Sequence, residues 1–275
     1  MRLSRRRRVL LVYMLVFGLA ASSFSLGAWY SQRRLEKRIA AAIDAQNAMA
    51  TEITHNLSTE MGLMPISMLR DRRKSFVEVN AYDEFGAMRY STAGYLGNGY
   101  FITVKHGVMP LNDNQQRTAS VNILYKGEAF PVTVVDSGTA DAEVHPGDWA
   151  IIKVDADIPD LPPLSLDMRY KYEFADPIVR LGNDYSKGII LSTGYIGQRT
   201  ANGLLTSLTD GHPGVSGGGV LNRSGNLIGI PIGRMEADYR FSFILPLREE
   251  MFRKVPSLSA GAAAAKVGTV ASGGS

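Results

Sequence analysis

The chain has 275 residues, 45% hydrophobic, 20% charged and 9% aromatic, enough apolar sequence to bury more than one core and too much for a disordered tether. It contains no cysteine, which excludes disulfide staples, thiol nucleophiles, iron–sulfur clusters and cysteine-ligated zinc. The net charge of +4 and a pI near 9.2 come from one end: residues 1–38 hold nine Lys or Arg against one Glu, so the other 237 residues balance to −4. A nucleic-acid partner is therefore not expected of the body.

No charge falls between Arg8 and Arg33, and Val9 to Tyr30 forms an apolar run of 22 residues. As a helix it would reach roughly 33 Å, the thickness of a bilayer interior. Trp29 and Tyr30 close it as an interfacial belt, and Arg2, Arg5, Arg6, Arg7 and Arg8 precede it. The expectation for 1–34 is a cytoplasmic basic tail and a transmembrane anchor, type II, with the body exported. A cleaved leader ending near Gly18-Leu19-Ala20 is the competing reading, disfavoured because apolar sequence continues for ten residues beyond Ala20.

From Leu35 to about Met61 there is no proline, and Ile39, Ile43, Ala50, Ile53 and Leu57 recur near helical spacing. The segment 35–75 is expected as a membrane-proximal helical spacer. Self-association through that helix into a homo-oligomer is the alternative to a plain spacer.

Beyond Phe76 the pattern changes to short β-branched and aromatic runs divided by turn residues. Strands are expected at 76–82, 95–103, 120–125, 130–135, 149–154, 177–182, 188–197, 227–233 and 241–247. Regular short strands without helical periods between them predict an all-β class of barrels. Residues 155–170, with three prolines and four aspartates, read as a linker between barrel 1, about 76–157, and barrel 2, about 170–256. Residues 257–275 are Ala, Gly and Ser rich and are expected to be a disordered tail.

With cysteine absent, a nucleophilic site would need an activated serine, a base, an orienting carboxylate and backbone donors. Of four histidines, His55 lies in the spacer, His145 stands beside Pro146 and His212 is four residues from the candidate serine. His106 remains, directly after the strand Tyr100-Phe101-Ile102-Thr103, where a rigid element could fix an imidazole. A structural histidine fits that position equally well. Asp148 opens the apolar run Trp149-Ala150-Ile151-Ile152; it is a turn residue on one reading and a partner for an imidazole on the other. Asp136, Asp141 and Asp155 stand before no comparable strand.

The most specific segment is Gly211-His212-Pro213-Gly214-Val215-Ser216-Gly217-Gly218-Gly219-Val220. A tight glycine turn there could converge the N–H groups of Gly214 and Ser216 on one oxyanion, while an ordinary flexible loop is the plain alternative. A phosphate cradle is disfavoured, since no Lys or Thr follows and no helical pattern begins.

GNGYFITVKHGV, GDWAIIKV and TDGHPGVSGGGVLNRSGNLIGI, in that order, resemble the His, Asp and Ser motifs of trypsin-like serine endopeptidases of the bacterial HtrA type, over about 76–250. The resemblance implies a chymotrypsin-like fold of two packed six-stranded antiparallel barrels and a triad of His106, Asp148 and Ser216. It also implies an oxyanion hole at Gly214 and Ser216, a peptide or protein substrate, and no cofactor or metal. Ile230, Pro231, Ile232 and Gly233 match the segment that pairs with extended substrate. Asp210 matches either the acid that selects basic side chains or an HtrA-type Thr-Asp pair without that role, and Thr209 and Pro213 favour the second.

FSFILPL resembles the family's final strand and REEMFRKV its closing helix. Three departures stand out. Val215 replaces the usual Asp or Asn, Gly219 replaces Pro or Ala in what reads as a permissive change, and the residues after the barrel are too few for a PDZ domain. The resemblance places the body on the periplasmic side of a bacterial inner membrane. A catalytically silent barrel acting as an anchored binding protein is the rival function.

Overall fold

The computed structural model describes residues 5–60, 64–112, 115–156, 158–184, 188–209, 211–235, 238–256 and 258. The side chains of most residues before Trp29, of His55 and 57–60, and of Tyr239 lie outside that description. The expected tail at 257–275 falls outside it except for residue 258. The chain divides into two compact units, 1–61 and 62–275.

The first unit is one helix, α1 (Arg5–Glu60), of 56 residues. A proline-free, alanine-rich sequence keeps every i to i−4 bond available, and side chains four apart stack along it. Arg33 lies over the Trp29 ring at 4.1 Å, Gln32 donates to Glu36, and Thr51 and Thr54 hydroxyls donate to the carbonyls of Asn47 and Ala50. One helix runs through the segment expected as an anchor and on into the expected spacer as far as Glu60. Among the described residues no helix is long and apolar enough to cross a membrane. The described side chains belong mainly to the charged and polar part from Trp29 onward, and the run Val9–Tyr30 falls largely on undescribed ones.

Among the described residues the second unit begins with α2 (Ile66–Arg73) and continues in thirteen strands. The first seven are β1 (Phe76–Asp83), β2 (Met88–Gly97), β3 (Tyr100–Thr103), β4 (Thr118–Tyr125), β5 (Glu128–Pro131), β6 (Thr133–Ser137) and β7 (Ala150–Lys153). They form an antiparallel sheet in the order β5-β4-β1-β2-β3-β7-β6. This corrects the expected closed six-stranded first barrel. The run 130–135, read as one strand, is broken at Val132, whose N–H turns to the carbonyl of Val121. Strands β5 and β6 thus occupy opposite edges although one residue joins them, and that short tie curls the sheet into a half-barrel without a hydrogen-bonded seam.

The other six strands are β8 (Pro177–Asn183), β9 (Ile189–Arg199), β10 (Leu205–Leu208), β11 (Gly219–Leu221), β12 (Leu227–Met235) and β13 (Asp238–Pro246). They close as the barrel β10-β13-β12-β11-β8-β9, as expected for the second half. The expected closing helix is a single 3-10 turn, Glu249–Phe252, with Met251 and Phe252 buried. The linker is docked, with Leu164 N–H on the carbonyl of Tyr95 in one lobe and Asp167 N–H on that of Leu227 in the other.

Strand alternation explains how the lobes share a core. Neighbours on one strand point to opposite faces, so Phe101 and Ile152 fill the first lobe while Ile102 and Ile151 face the junction. There they meet Leu181, Leu221, Leu227 and Ile230 of the second lobe, whose interior holds Ile178, Val220 and Ile244. At this junction the Phe76 ring packs directly over Gly219. A Cβ on Gly219 would lie 2.2 Å from Phe76 Cζ and 2.9 Å from Leu227 Cδ1, so the glycine read as permissive is required by a buried ring. Gly219→Ala is expected to destabilise the protein by about 1–3 kcal/mol, and by less in a Phe76→Leu background. Chemical denaturation of the four variants measures the difference, and an equal cost in both backgrounds contradicts it.

Candidate active site

Antiparallel pairing of β3 with β7 sets Thr103 opposite Ala150, so the chain leaving β3 and the chain entering β7 emerge side by side. His106 leaves one and Asp148 enters the other, which brings together residues 42 apart in sequence. The His106 backbone N–H donates to Asp148 Oδ1 at 3.0 Å, and the ring Nδ1 lies 2.6 Å from Oδ2. Asp148 is fully buried and the imidazole is 17% exposed. Two contacts to one carboxylate lock both the loop and the ring. With Nδ1–H donating to the carboxylate, Nε2 is left as the acceptor. Lys105 helps to fix the loop by donating to the carbonyl of Ala140 at 2.7 Å.

Burial is the largest influence on the imidazole and pulls its pKa down. The hydrogen bond and charge of Asp148, with the charge of Glu143, outweigh burial and the opposing Arg89, so the net direction is upward from 6.5.

Ser216 lies on the loop between β10 and β11, and two glycines with left-handed backbone shape that loop: Gly214 at φ +94° and Gly217 at φ +81°. A Cβ on Gly217 would stand 2.3 Å from Thr92 O, 2.4 Å from Thr103 Oγ1 and 2.9 Å from Val104 N. The serine loop is thus pressed against β2, β3 and the segment leading to His106, at a distance that admits no side chain. Backbone bonds hold it there: Thr92 N–H to Ser216 O at 2.8 Å, Gly217 N–H to Pro231 O at 2.8 Å and Gly218 N–H to Val215 O at 3.0 Å. Among the described residues neither the Gly214 nor the Ser216 N–H donates to another protein group, so both remain available to an incoming oxygen.

Ser216 and His106 line one cavity of about 380 Å³, together with Gly214, Pro231, Gly233 and the side chains of Arg89 and Glu143. Among the described residues no hydrogen bond joins Ser216 to His106. His212, set aside in the sequence, also borders this cavity.

The expected substrate strand divides by face. Pro231 and Gly233 border the cavity, whereas the side chains of Ile230 and Ile232 are fully buried in the core between the lobes. Alternation along β12 is the reason. Val144, at φ +57°, packs over Gly233, where an added Cβ would lie 2.6 Å from its Cγ2. Asp210 lies outside the described residues.

Two features of the site are missing from the sequence reading. Arg180 on β8 is 2% exposed, borders the same cavity and donates to Thr209 Oγ1 and Ser192 Oγ. Beside it the hydroxyls of Ser207, Thr209 and Ser242 form a buried cluster. The arginine interrupts the apolar run Ile178-Val179-Arg180-Leu181, a signal that could have marked it. The second is Thr92, which touches the serine loop at two points. Among the described residues no group of three or more His, Asp or Glu side chains is arranged to hold a metal.

These contacts predict a titration. Followed by NMR, His106 is expected to titrate above 6.5, and below it in Asp148→Asn, where burial loses its main opponent. A midpoint that fails to fall in the variant contradicts the assignment of Asp148 as the controlling partner.

A family model described as trypsin-like peptidase domain matches residues 90–230, just over half of the chain. No curated protein matches. Among solved structures, the chain is similar to the serine endoprotease from Yersinia pestis, with 22% identity and a TM-score of 0.54 over 65% of this chain and 61% of that one. It is also similar to the active form of the Rv3671c protease from M. tuberculosis, with 19% identity and a TM-score of 0.54 over 65% and 78% of the two chains. The HtrA-type protease AlgW with tripeptide gives 18% identity and a TM-score of 0.55 over 65% and 58%. The chain therefore spans less than two thirds of the Yersinia and AlgW chains, and at these identities the likeness is one of fold. The family match supports a serine endopeptidase. Since the matched residues run from β2 to β12 and include His106, Asp148 and Ser216, the chain belongs to the trypsin-like peptidase domain family.

Proposed function

We propose that the protein is a serine endopeptidase that hydrolyses peptide bonds through an acyl-enzyme, with Ser216 as nucleophile, His106 as base and Asp148 as the group that orients it. The observation that carries this reading is the buried Asp148 carboxylate on His106 Nδ1, with that histidine and Ser216 lining the same cavity. In the first half-reaction Ser216 Oγ bonds to the substrate carbonyl carbon and its proton passes to His106 Nε2. The Gly214 and Ser216 N–H groups hold the oxyanion. The C–N bond then breaks, the imidazolium returns the proton to the leaving amine, and an ester on Ser216 remains. Water repeats the sequence, releasing the acid and restoring the hydroxyl.

Extended substrate is proposed to lie along Pro231 and Gly233. Pro231 has no N–H to offer, and its carbonyl already accepts from Gly217, which leaves one lone pair for a substrate amide. Cleavage is proposed not to be restricted to basic residues. Thr209 and Pro213 support this by their match to the HtrA-type pattern, as does a guanidinium already standing in the cavity wall. The run Val9–Tyr30, flanked by arginines, supports a type II membrane anchor with the body on the periplasmic side.

A fluorophosphonate probe is expected to label the protein, and Ser216→Ala to abolish labelling and lower kcat by a factor on the order of 10⁶. Absence of labelling in the intact chain supports the silent binding barrel instead. Because neutral His106 is the base, kcat/KM is expected to fall on acidification with a midpoint above 6.5, in the direction of the imidazole's shift. A profile flat between about pH 5 and 8 counts against this role. In a peptide panel, strict cleavage after Lys or Arg would overturn the specificity reading.

A further inference from the structure

Thr92 is fully buried at the middle of β2, and its polar atoms tie together three segments remote in sequence. The hydroxyl accepts the Asn183 N–H, at the end of β8, at 2.7 Å and donates to the carbonyl of Gly214 at 2.7 Å. The backbone N–H donates to Ser216 O at 2.8 Å, and the carbonyl accepts the Thr103 hydroxyl at 2.7 Å. Every polar atom of this residue is engaged, and two of the bonds end on the loop that carries the nucleophile.

We propose that Thr92 is a positioning residue for the serine loop, whose hydroxyl fixes the peptide between Gly214 and Val215 and thereby holds the two N–H donors and Ser216 in reactive register. The inference rests on the protease reading above. The loop needs such a support because its own side chains supply little. Gly214 and Gly217 have left-handed backbone that constrains nothing by itself, and Val215, between Gly214 and Ser216, is apolar and buried against Gly182. The anchor must therefore come from outside the loop. A β-branched threonine suits this task, because its restricted χ1 holds the hydroxyl in one direction. Asn183 N–H occupies the oxygen from the other side, so the hydroxyl proton is directed to Gly214 O. Without this bond the peptide carrying the Gly214 carbonyl can turn about a glycine torsion. The donor N–H of Gly214 and the position of Ser216 then drift, although the Thr92 N–H bond to Ser216 O persists.

The test compares Thr92→Val, which removes the hydroxyl at nearly constant shape, with Thr92→Ser, which keeps it. The readouts are kcat and KM on one peptide, affinity for the matching peptide aldehyde, and hydrogen exchange of the amides of 214–218. Thr92→Val is expected to lower kcat by about 10- to 100-fold with KM changed little, and to weaken aldehyde binding in parallel. It should also speed exchange in the loop by about tenfold or more, while Thr92→Ser stays close to the parent in all three. The proposal is overturned if Thr92→Val keeps kcat and loop exchange near the parent values, or if Thr92→Ser loses as much as Thr92→Val. If the parent chain neither cleaves peptides nor takes the fluorophosphonate, the protease reading fails by itself. Hydrogen exchange in Thr92→Val then still decides whether the hydroxyl pins the loop, since fast exchange supports the pin and unchanged exchange removes it.

Discussion

The site depends on a contact that leaves no room for a side chain: Gly217 of the second lobe against the backbone of Thr92 and Val104 in the first. The imidazole and its carboxylate belong wholly to the first lobe, held by neighbouring strands, and the hydroxyl belongs wholly to the second. Neither lobe alone carries all three side chains of the proposed triad. The separation between His106 and Ser216, the proposed base and nucleophile, is set by how closely the serine loop seats on β2 and β3, and a glycine with φ +81° is what allows that seat.

The core between the lobes makes this seat rigid. Because β3 and β7 bury both faces, their inward residues stabilise the first lobe and their outward residues join the second, so the strands that carry His106 and Asp148 are fixed from two sides. The same alternation on β12 sends Ile230 and Ile232 into that core and leaves Pro231 and Gly233 at the cavity. Packing and the proposed substrate contact are thus separated by the period of two along a strand. A charge network is superimposed on this frame. Asp148 and Glu143 raise the proton affinity of the imidazole against burial and Arg89, which would favour the imidazolium of the proposed reaction.

The features legible in the sequence are those with a local signal. Apolar runs at 95–103 and 149–154 marked the strands that flank His106 and Asp148, although the first, read as one strand, is the hairpin of β2 and β3 turned at Asn98 and Gly99, and an aspartate at the mouth of the second marked the carboxylate. The glycine cluster marked the turn around Ser216. What escaped has no such signal. Strands β10 and β11 are four and three residues long, one of them carrying Ser and Thr, and only barrel closure defines them. The break at Val132 follows from pairing at opposite sheet edges and is not visible in a run of β-branched residues. Thr92 touches Asn183 and Gly214 across 91 and 122 residues, so no window of sequence could connect them. The cost of Cβ at Gly219 likewise depends on where the ring of Phe76 lies.

The account's central claim is that side chains from two lobes act on one substrate carbonyl, and a crystal structure of the protein with a peptide boronic acid tests it most directly. The boron should be bonded to Ser216 Oγ, with one boronate oxygen within about 2.7–3.1 Å of both the Gly214 and Ser216 nitrogens and His106 Nε2 hydrogen-bonded to the adduct. An unmodified Ser216, or an adduct whose oxygen turns away from those two nitrogens, would contradict it.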